Sequence, residues 1–147
     1  MQKTSLKTFL WFSGGLEEAL DFYTATFGDV VILSKNRMGD VLFTADFSIF
    51  GHDFIGMNWA GGDKFNDSIS LSLNVDGQEE VDRLWNAITA EGREGQCGWC
   101  YDKWGLTWQV SPIQMRQWLE NPDQETREYA NNALRGMKKI VIDELHR

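Results

Sequence analysis

The sequence predicts an α+β fold made of two successive modules, each a strand, a helix and further strands, followed by a C-terminal helical tail. Three observations predict it. The apolar period switches from two to about 3.6 residues and back, twice along the chain. The chain also superposes on itself at an offset of 62 residues, which brings Gly15 onto Gly77, Glu17 and Glu18 onto Glu79 and Glu80, Tyr23 onto Trp85 and Ala25 onto Ala87. From Ile113 onward the apolar spacing is helical only.

The first module spans about residues 4–60. Leu6 to Phe12 read as a strand stopped by Ser13-Gly14-Gly15. In the next segment Leu16, Ala19, Leu20, Tyr23 and Phe27 recur at three and four, leaving Glu17, Glu18 and Asp21 toward water, so a helix is expected up to Gly28-Asp29. Val30 to Ser34 form a second strand. Val41 to Phe50 form a third, with Val41, Phe43, Ala45, Phe47 and Ile49 on one face. A turn at Gly51-His52-Asp53 leads to a fourth strand, about Phe54 to Trp59, and residues 61–67 read as a linker.

The second module, about 68–112, repeats the order. It comprises a strand from Ser68 to Val75, a turn at Asp76-Gly77, a helix from Gln78 to Ala90, a strand from Gln96 to Tyr101 and a last strand from Leu106 to Ser111. The tail, 113–147, is expected to hold a short helix to Leu119, a second over Asp123 to Arg135, and a terminal amphipathic stretch through Met137, Ile140, Val141, Ile142 and Leu145. Such a stripe must dock on its own domain or on a second copy.

Composition narrows the function classes. The 147 residues carry 14 Lys and Arg against 22 Asp and Glu, a formal charge of −8, so a phosphate backbone and an anionic membrane surface are both disfavoured partners. No window approaches a membrane span and no secretory leader is apparent. Two cysteines make no disulfide framework, and a cytoplasmic protein is expected. Seven tryptophans are many for this length; some are expected in the core, and large flat side chains left over commonly line a pocket for a small organic ligand.

Several words along the chain carry a family resemblance. Phe9-Leu10-Trp11-Phe12, Glu17-Glu18-Ala19-Leu20-Asp21-Phe22-Tyr23, Gly95-Gln96-Cys97-Gly98-Trp99 and Asp102-Lys103-Trp104-Gly105-Leu106-Thr107-Trp108-Gln109 resemble the PhnB-like branch of the vicinal oxygen chelate superfamily, as does the Met137-Lys138-Lys139-Ile140 tail. That superfamily includes glyoxalase, bleomycin-resistance and extradiol dioxygenase proteins, and the branch often carries a demethylubiquinone methyltransferase label. The resemblance implies two βαβββ modules whose curved mixed sheets surround a cleft. In metal-dependent members the first and last strands of each module supply His, Glu or Gln ligands. Here Lys7 or Thr8 and Ser70 fall at the first-strand places, and Asn58 and Gln109 at the last-strand places. Only Gln109 is a ligand type the superfamily uses. His52 and His146 lie elsewhere, so no metal and no cofactor is expected. A methyltransferase using S-adenosylmethionine needs a Gly-rich turn on a doubly wound sheet, a pattern that Gly14-Gly15 lacks.

Strand parity supplies candidate site residues. Ser70 and Ser72 alternate with Leu71 and Leu73, Gln109 alternates with Trp108 and Val110, and Phe9 and Trp11 share a face with Lys7. Phe9 and Trp11 as flat walls, with Asn58, Ser70, Ser72 and Gln109 as neutral hydrogen-bonding groups, would suit a small, partly aromatic molecule. The competing structural reading makes them the wet side of an ordinary sheet. Cys97-Gly98-Trp99-Cys100 has redox spacing but no helix N-terminus to activate a thiol. The expected function is metal-free binding of such a ligand by a homodimer. The alternatives are a metal-dependent lyase, isomerase or oxygenase with atypical ligands, and an interaction module working through the tail.

Overall fold

The computed structural model describes residues 3–147, which divide into two compact units, the first ending at Lys64 and the second running from Phe65 to Arg147. In the first unit β1 (Thr8–Phe12), helix α1 (Leu16–Phe27), β2 (Val30–Met38), β3 (Val41–Ile49) and β4 (His52–Asn58) follow in order. The four strands form one sheet in the order β1-β4-β3-β2, with β1 parallel to β4 and the other neighbours antiparallel. Helix α1 seals one face. Its Leu16, Ala19, Leu20, Tyr23 and Phe27 are buried along with Leu10, Phe12, Ala45, Phe47 and Phe54 from the sheet. Burying that many large apolar groups, each contributing ~1.5 to 3 kcal/mol, is what holds the unit.

Two irregularities correct the expected strands. Asn36 pairs with Thr44 but Arg37 pairs with Leu42, so Phe43 is an extra residue in a bulge. Leu42, not Val41 or Phe43, therefore joins Ala45, Phe47 and Ile49 in the core, while Val41 is exposed and Phe43 packs edge-on against Trp59. Lys35 and Arg37, two residues apart on β2, share the α1 side of the sheet and both pair with Glu17. The hairpin between β3 and β4 turns at Phe50 and Gly51, both with positive φ, and His52 already belongs to β4.

The second unit contains β5 (Leu71–Val75), α2 (Gln78–Thr89), β6 (Arg93–Glu94), β7 (Trp99–Tyr101) and β8 (Thr107–Pro112), then α3 (Arg116–Leu119) and α4 (Gln124–Arg135). Its sheet order, β5-β8-β7-β6, repeats that of the first unit. Val81, Leu84, Trp85 and Ile88 of α2 are buried together with Leu73, Val75, Trp108 and Val110 of the sheet. Ser68 to Ser70 precede the strand rather than forming it. The short β6 is a strand that the sequence pattern did not reveal.

The chain beyond α4 does not continue as a helix. Met137 to Val141 run without helical structure and end in a 3-10 turn at Ile142–Leu145. Cys97 N–H donates to Met137 O at 2.8 Å and Gly98 N–H to Lys138 O at 2.7 Å, which ties the tail to the loop before β7. Gln78 clamps the tail from α2, donating to Ile140 O and accepting from Ile142 N–H, while Lys139 pairs with Asp82. Ile140 and Leu145 are fully buried, so the apolar stripe docks within its own unit. Gly98 permits this: its φ is +84°, and a Cβ there would stand 2.7 Å from Ile140 Cδ1. No helix among the described residues is long and apolar enough to cross a membrane. Replacing Gly98 by Val should lower stability by roughly 2 to 4 kcal/mol through backbone strain and overpacking. A urea unfolding midpoint equal to wild type would contradict this account of the tail.

Candidate functional site

Each sheet has one face sealed by a helix and one open face, and strand register states which side chains occupy the open one. In the first unit Phe9 pairs with Ile55, Ile55 with Asp46 and Asp46 with Ser34, forming a row across all four strands. A second row runs Trp11, Met57, Thr44, Asn36. Two adjacent strands thus present an apolar strip of Phe9, Trp11, Ile55 and Met57, and the other two a polar strip. Phe9 and Trp11, both on the edge strand β1, stay 53% and 40% exposed, so together they leave a large apolar patch open on this face.

Trp11 is held in one orientation. Its indole N–H donates to Trp59 O at 2.6 Å, and Gly62 lies so close that a Cβ there would meet the ring at 2.7 Å. The segment after β4 therefore backs the indole and is not merely a linker. On the polar strip Lys7 Nζ donates to Asp46 Oδ1 at 3.1 Å and Ser34 donates to Asp46 Oδ2 at 3.1 Å. These two hydrogen bonds hold the Asp46 carboxyl below the usual carboxylate range.

In the second unit the row that holds the candidate residues is uncharged. Ser72 pairs with Gln109, which pairs with Trp99, and Gln109 Nε2 donates to Ser70 Oγ at 2.8 Å. Next to that row, Tyr101 and Thr107 both donate to Asp67, and the Arg93 guanidinium lies 3.6 Å from the Tyr101 ring centroid. Burial, with the Asp67 carboxylate beside it, pushes the Tyr101 hydroxyl up from its ordinary value.

The structure therefore brings Phe9 and Trp11 together on one face, and Ser70, Ser72 and Gln109 together on another. Asn58 does not join them. It shares parity with Phe54 and Gly56, whose faces turn to α1, and it pairs with Phe12. The reason is register: Thr8 pairs with Phe54 as Leu71 pairs with Trp108, so the counterpart of Gln109 in the first unit is Ile55. By the same register Lys7 is the counterpart of Ser70. Ile55, Met57, Asp46 and Trp99 complete these faces, and pattern reading missed them because pairing register is invisible until the bulge and turns are placed.

A divalent ion does not fit the first- and last-strand places. They hold Lys7, tied to Asp46, and the hydrocarbon Ile55 in one unit, and Ser70 and Gln109, bonded to each other, in the other. None offers the imidazole, thiolate or carboxylate set that such ions select. Among the described residues no group of three or more His, Cys, Asp and Glu could hold a metal.

Other candidates resolve into structure. Asp102 is 2% exposed and accepts from Trp104 N–H, Leu106 N–H and the Trp108 indole at 3.0, 3.0 and 2.9 Å. The Asp-x-x-Gly-Leu-x-Trp word is thus a buried tether for the last hairpin. Cys100 is buried, and burial together with the Asp102 charge pushes its thiol up to about 12. A groove of about 420 Å3 beside α4 is lined by Trp118, Tyr129, His146 and Arg147 among others, and shares no residue with either open face.

Two units with the same β-α-β-β-β order and the same sheet order define the two-module, glyoxalase-like class of the vicinal oxygen chelate superfamily. Residues 4–111 match the model of the 3-demethylubiquinone-9 3-methyltransferase family, and the chain belongs to that family. A solved Bacillus cereus protein, described as a putative 3-demethylubiquinone-9 3-methyltransferase, PhnB protein, is 26% identical, with 75% of this chain and all of that chain covered at a TM-score of 0.67. A Pseudomonas aeruginosa protein is 22% identical, with 74% and 98% covered at 0.63. The fosfomycin resistance protein FosX of Listeria monocytogenes, solved with manganese(II) and sulfate, is 16% identical, with 80% and 97% covered at 0.55, a likeness of fold. No curated protein sequence matches.

With the Cys100 thiol held protonated, a thiol reagent at pH 8 should modify Cys97 and leave Cys100 slower by an order of magnitude or more. Equal rates in the folded protein would contradict this placement.

Proposed function

We propose that this chain binds a small, neutral, partly aromatic molecule without the aid of a metal ion. The first unit's open face is the aromatic platform. The observation that carries this reading is the pair of exposed aromatics, Phe9 and Trp11, side by side with Ile55 and Met57 on an otherwise ordered sheet face, the Trp11 ring pinned from behind by Trp59 O and Gly62. Pre-oriented flat groups bind flat ligands at low entropic cost. The polar strip of Thr44, Ser34 and Asn36 gives such a ligand a hydrogen-bonding edge. The neutral row of Ser70, Ser72 and Gln109 in the second unit offers amide and hydroxyl groups of the same chemical kind.

The donor types at the first- and last-strand places support binding without metal. The reading applies equally to a carrier, a sequestering protein and a catalyst that uses only these side chains.

Uncharged bicyclic aromatics such as 2-naphthol are suitable probes, with binding followed by the indole N–H resonances of the seven tryptophans. The Trp11 signal should shift saturably. Trp11→Ala and Phe9→Ala should each weaken binding roughly fivefold to tenfold while leaving the protein cooperatively folded, since neither side chain belongs to the buried core. Undiminished affinity in both variants would remove the platform from the first unit.

A further inference from the structure

We infer that Asp46 makes this face selective for uncharged ligands by neutralising Lys7, the cation that stands on this face beside the aromatic strip; the inference rests on the ligand-binding reading above. The geometry is direct. Asp46 lies in the same cross-strand row as Phe9 and Ile55, so the polar edge of a molecule lying on Phe9 and Trp11 arrives at Asp46 and at the Lys7 ammonium paired with it. The two side chains are 30% and 36% exposed, open enough for a ligand atom to reach them. Both carboxylate oxygens of Asp46 are engaged, one by Lys7 and one by Ser34, which fixes the carboxylate on the face beside the ammonium.

The other nearby cations are committed elsewhere. Lys35 and Arg37 pair with Glu17 of α1, on the opposite side of the sheet. The open face therefore carries one ammonium and one carboxylate in contact, with the Asp53 carboxylate on the same face by strand parity, so no cation is left in surplus. A carboxylate, phosphate or phosphonate placed beside Lys7 would meet Asp46 as well, and the repulsion offsets the attraction. An ammonium has three N–H donors, and the bond to Asp46 uses one. A carbonyl or phenol oxygen can take another without disturbing the pair. The ligand class is accordingly an aromatic molecule whose polar edge is a neutral acceptor, such as a ketone, quinone, phenol or amide.

The test compares 2-naphthol with 2-naphthoate, which differ chiefly in charge at pH 7. Wild type should prefer the naphthol. Asp46→Asn takes away the carboxylate in contact with Lys7 and should raise naphthoate affinity roughly threefold to tenfold at low salt, with naphthol changed less than about twofold. The double variant Lys7→Gln, Asp46→Asn should lose that gain, which a merely structural role for Asp46 would not produce. Should Asp46→Asn not fold, Lys7→Gln alone runs the test in reverse: an unpaired Asp46 lowers the naphthoate-to-naphthol ratio. A ratio unmoved by these variants, with naphthol still bound, overturns the selectivity role and leaves the platform standing. Binding of neither probe to wild type or variants overturns both.

Discussion

A four-stranded sheet whose own helix covers one face has its other face dictated by the two-residue period of its strands, and that constraint orders this chain. In the first unit Leu10 and Phe12 must point at α1, so Phe9 and Trp11 must point away from it. The hydrogen-bond register then carries the choice across the sheet, from Phe9 to Ile55 to Asp46 and from Trp11 to Met57 to Thr44. A one-residue slip would bury Lys7 and Asp46 and expose Phe47 and Phe54, a cost the core cannot bear. The amphipathic open face is thus a consequence of core packing, and its aromatics are left over only in the sense that the core does not use them.

The words that mark the family divide between scaffold and face. Asp102 is buried under two backbone N–H groups and the Trp108 indole, and removing it would leave those donors without an acceptor in the interior. Gly98 lacks a side chain where Ile140 needs room, and the neighbouring Cys97 and Gly98 amides bind the tail. The Gly-Gln-Cys-Gly-Trp and Met-Lys-Lys-Ile words, about 40 residues apart, are two halves of one contact. Phe9 and Trp11 of the first-strand word, Trp99 at the end of the Gly-Gln-Cys-Gly-Trp word, and Thr107 and Gln109 of the last-strand word have the parity of an open face. Resemblance through such words fixes the fold of a relative far better than it fixes the chemistry.

The two βαβββ modules, their helices and the open parity of Phe9, Trp11, Ser72 and Gln109 were legible in the sequence, because each rests on a local period. Features set by pairing were not. The Phe43 bulge, which puts Leu42 in the core, leaves no mark in a run of alternating apolar residues. Asn58 fell on the wrong face because pairing sets the match: Thr8 pairs with Phe54 as Leu71 pairs with Trp108, so the position matching Gln109 is Ile55. The tail read as a helix because Met137, Ile140, Val141 and Leu145 have helical spacing; hydrogen bonds from Cys97 and Gly98 instead engage its backbone carbonyls. Lys7 and Asp46, 39 residues apart, meet only once both registers are set.

The central claim is that the open face of the first sheet receives an aromatic ligand. Met57 sits in the row between Trp11 and Thr44, and its ε-methyl group is a direct reporter. With all five methionines labelled, titration with an uncharged bicyclic aromatic should shift the Met57 methyl by ring current and leave Met115 and Met137, in the second unit's tail cluster, in place. A shift of the Met115 or Met137 methyl with Met57 unmoved would contradict the account and turn attention to the groove beside α4.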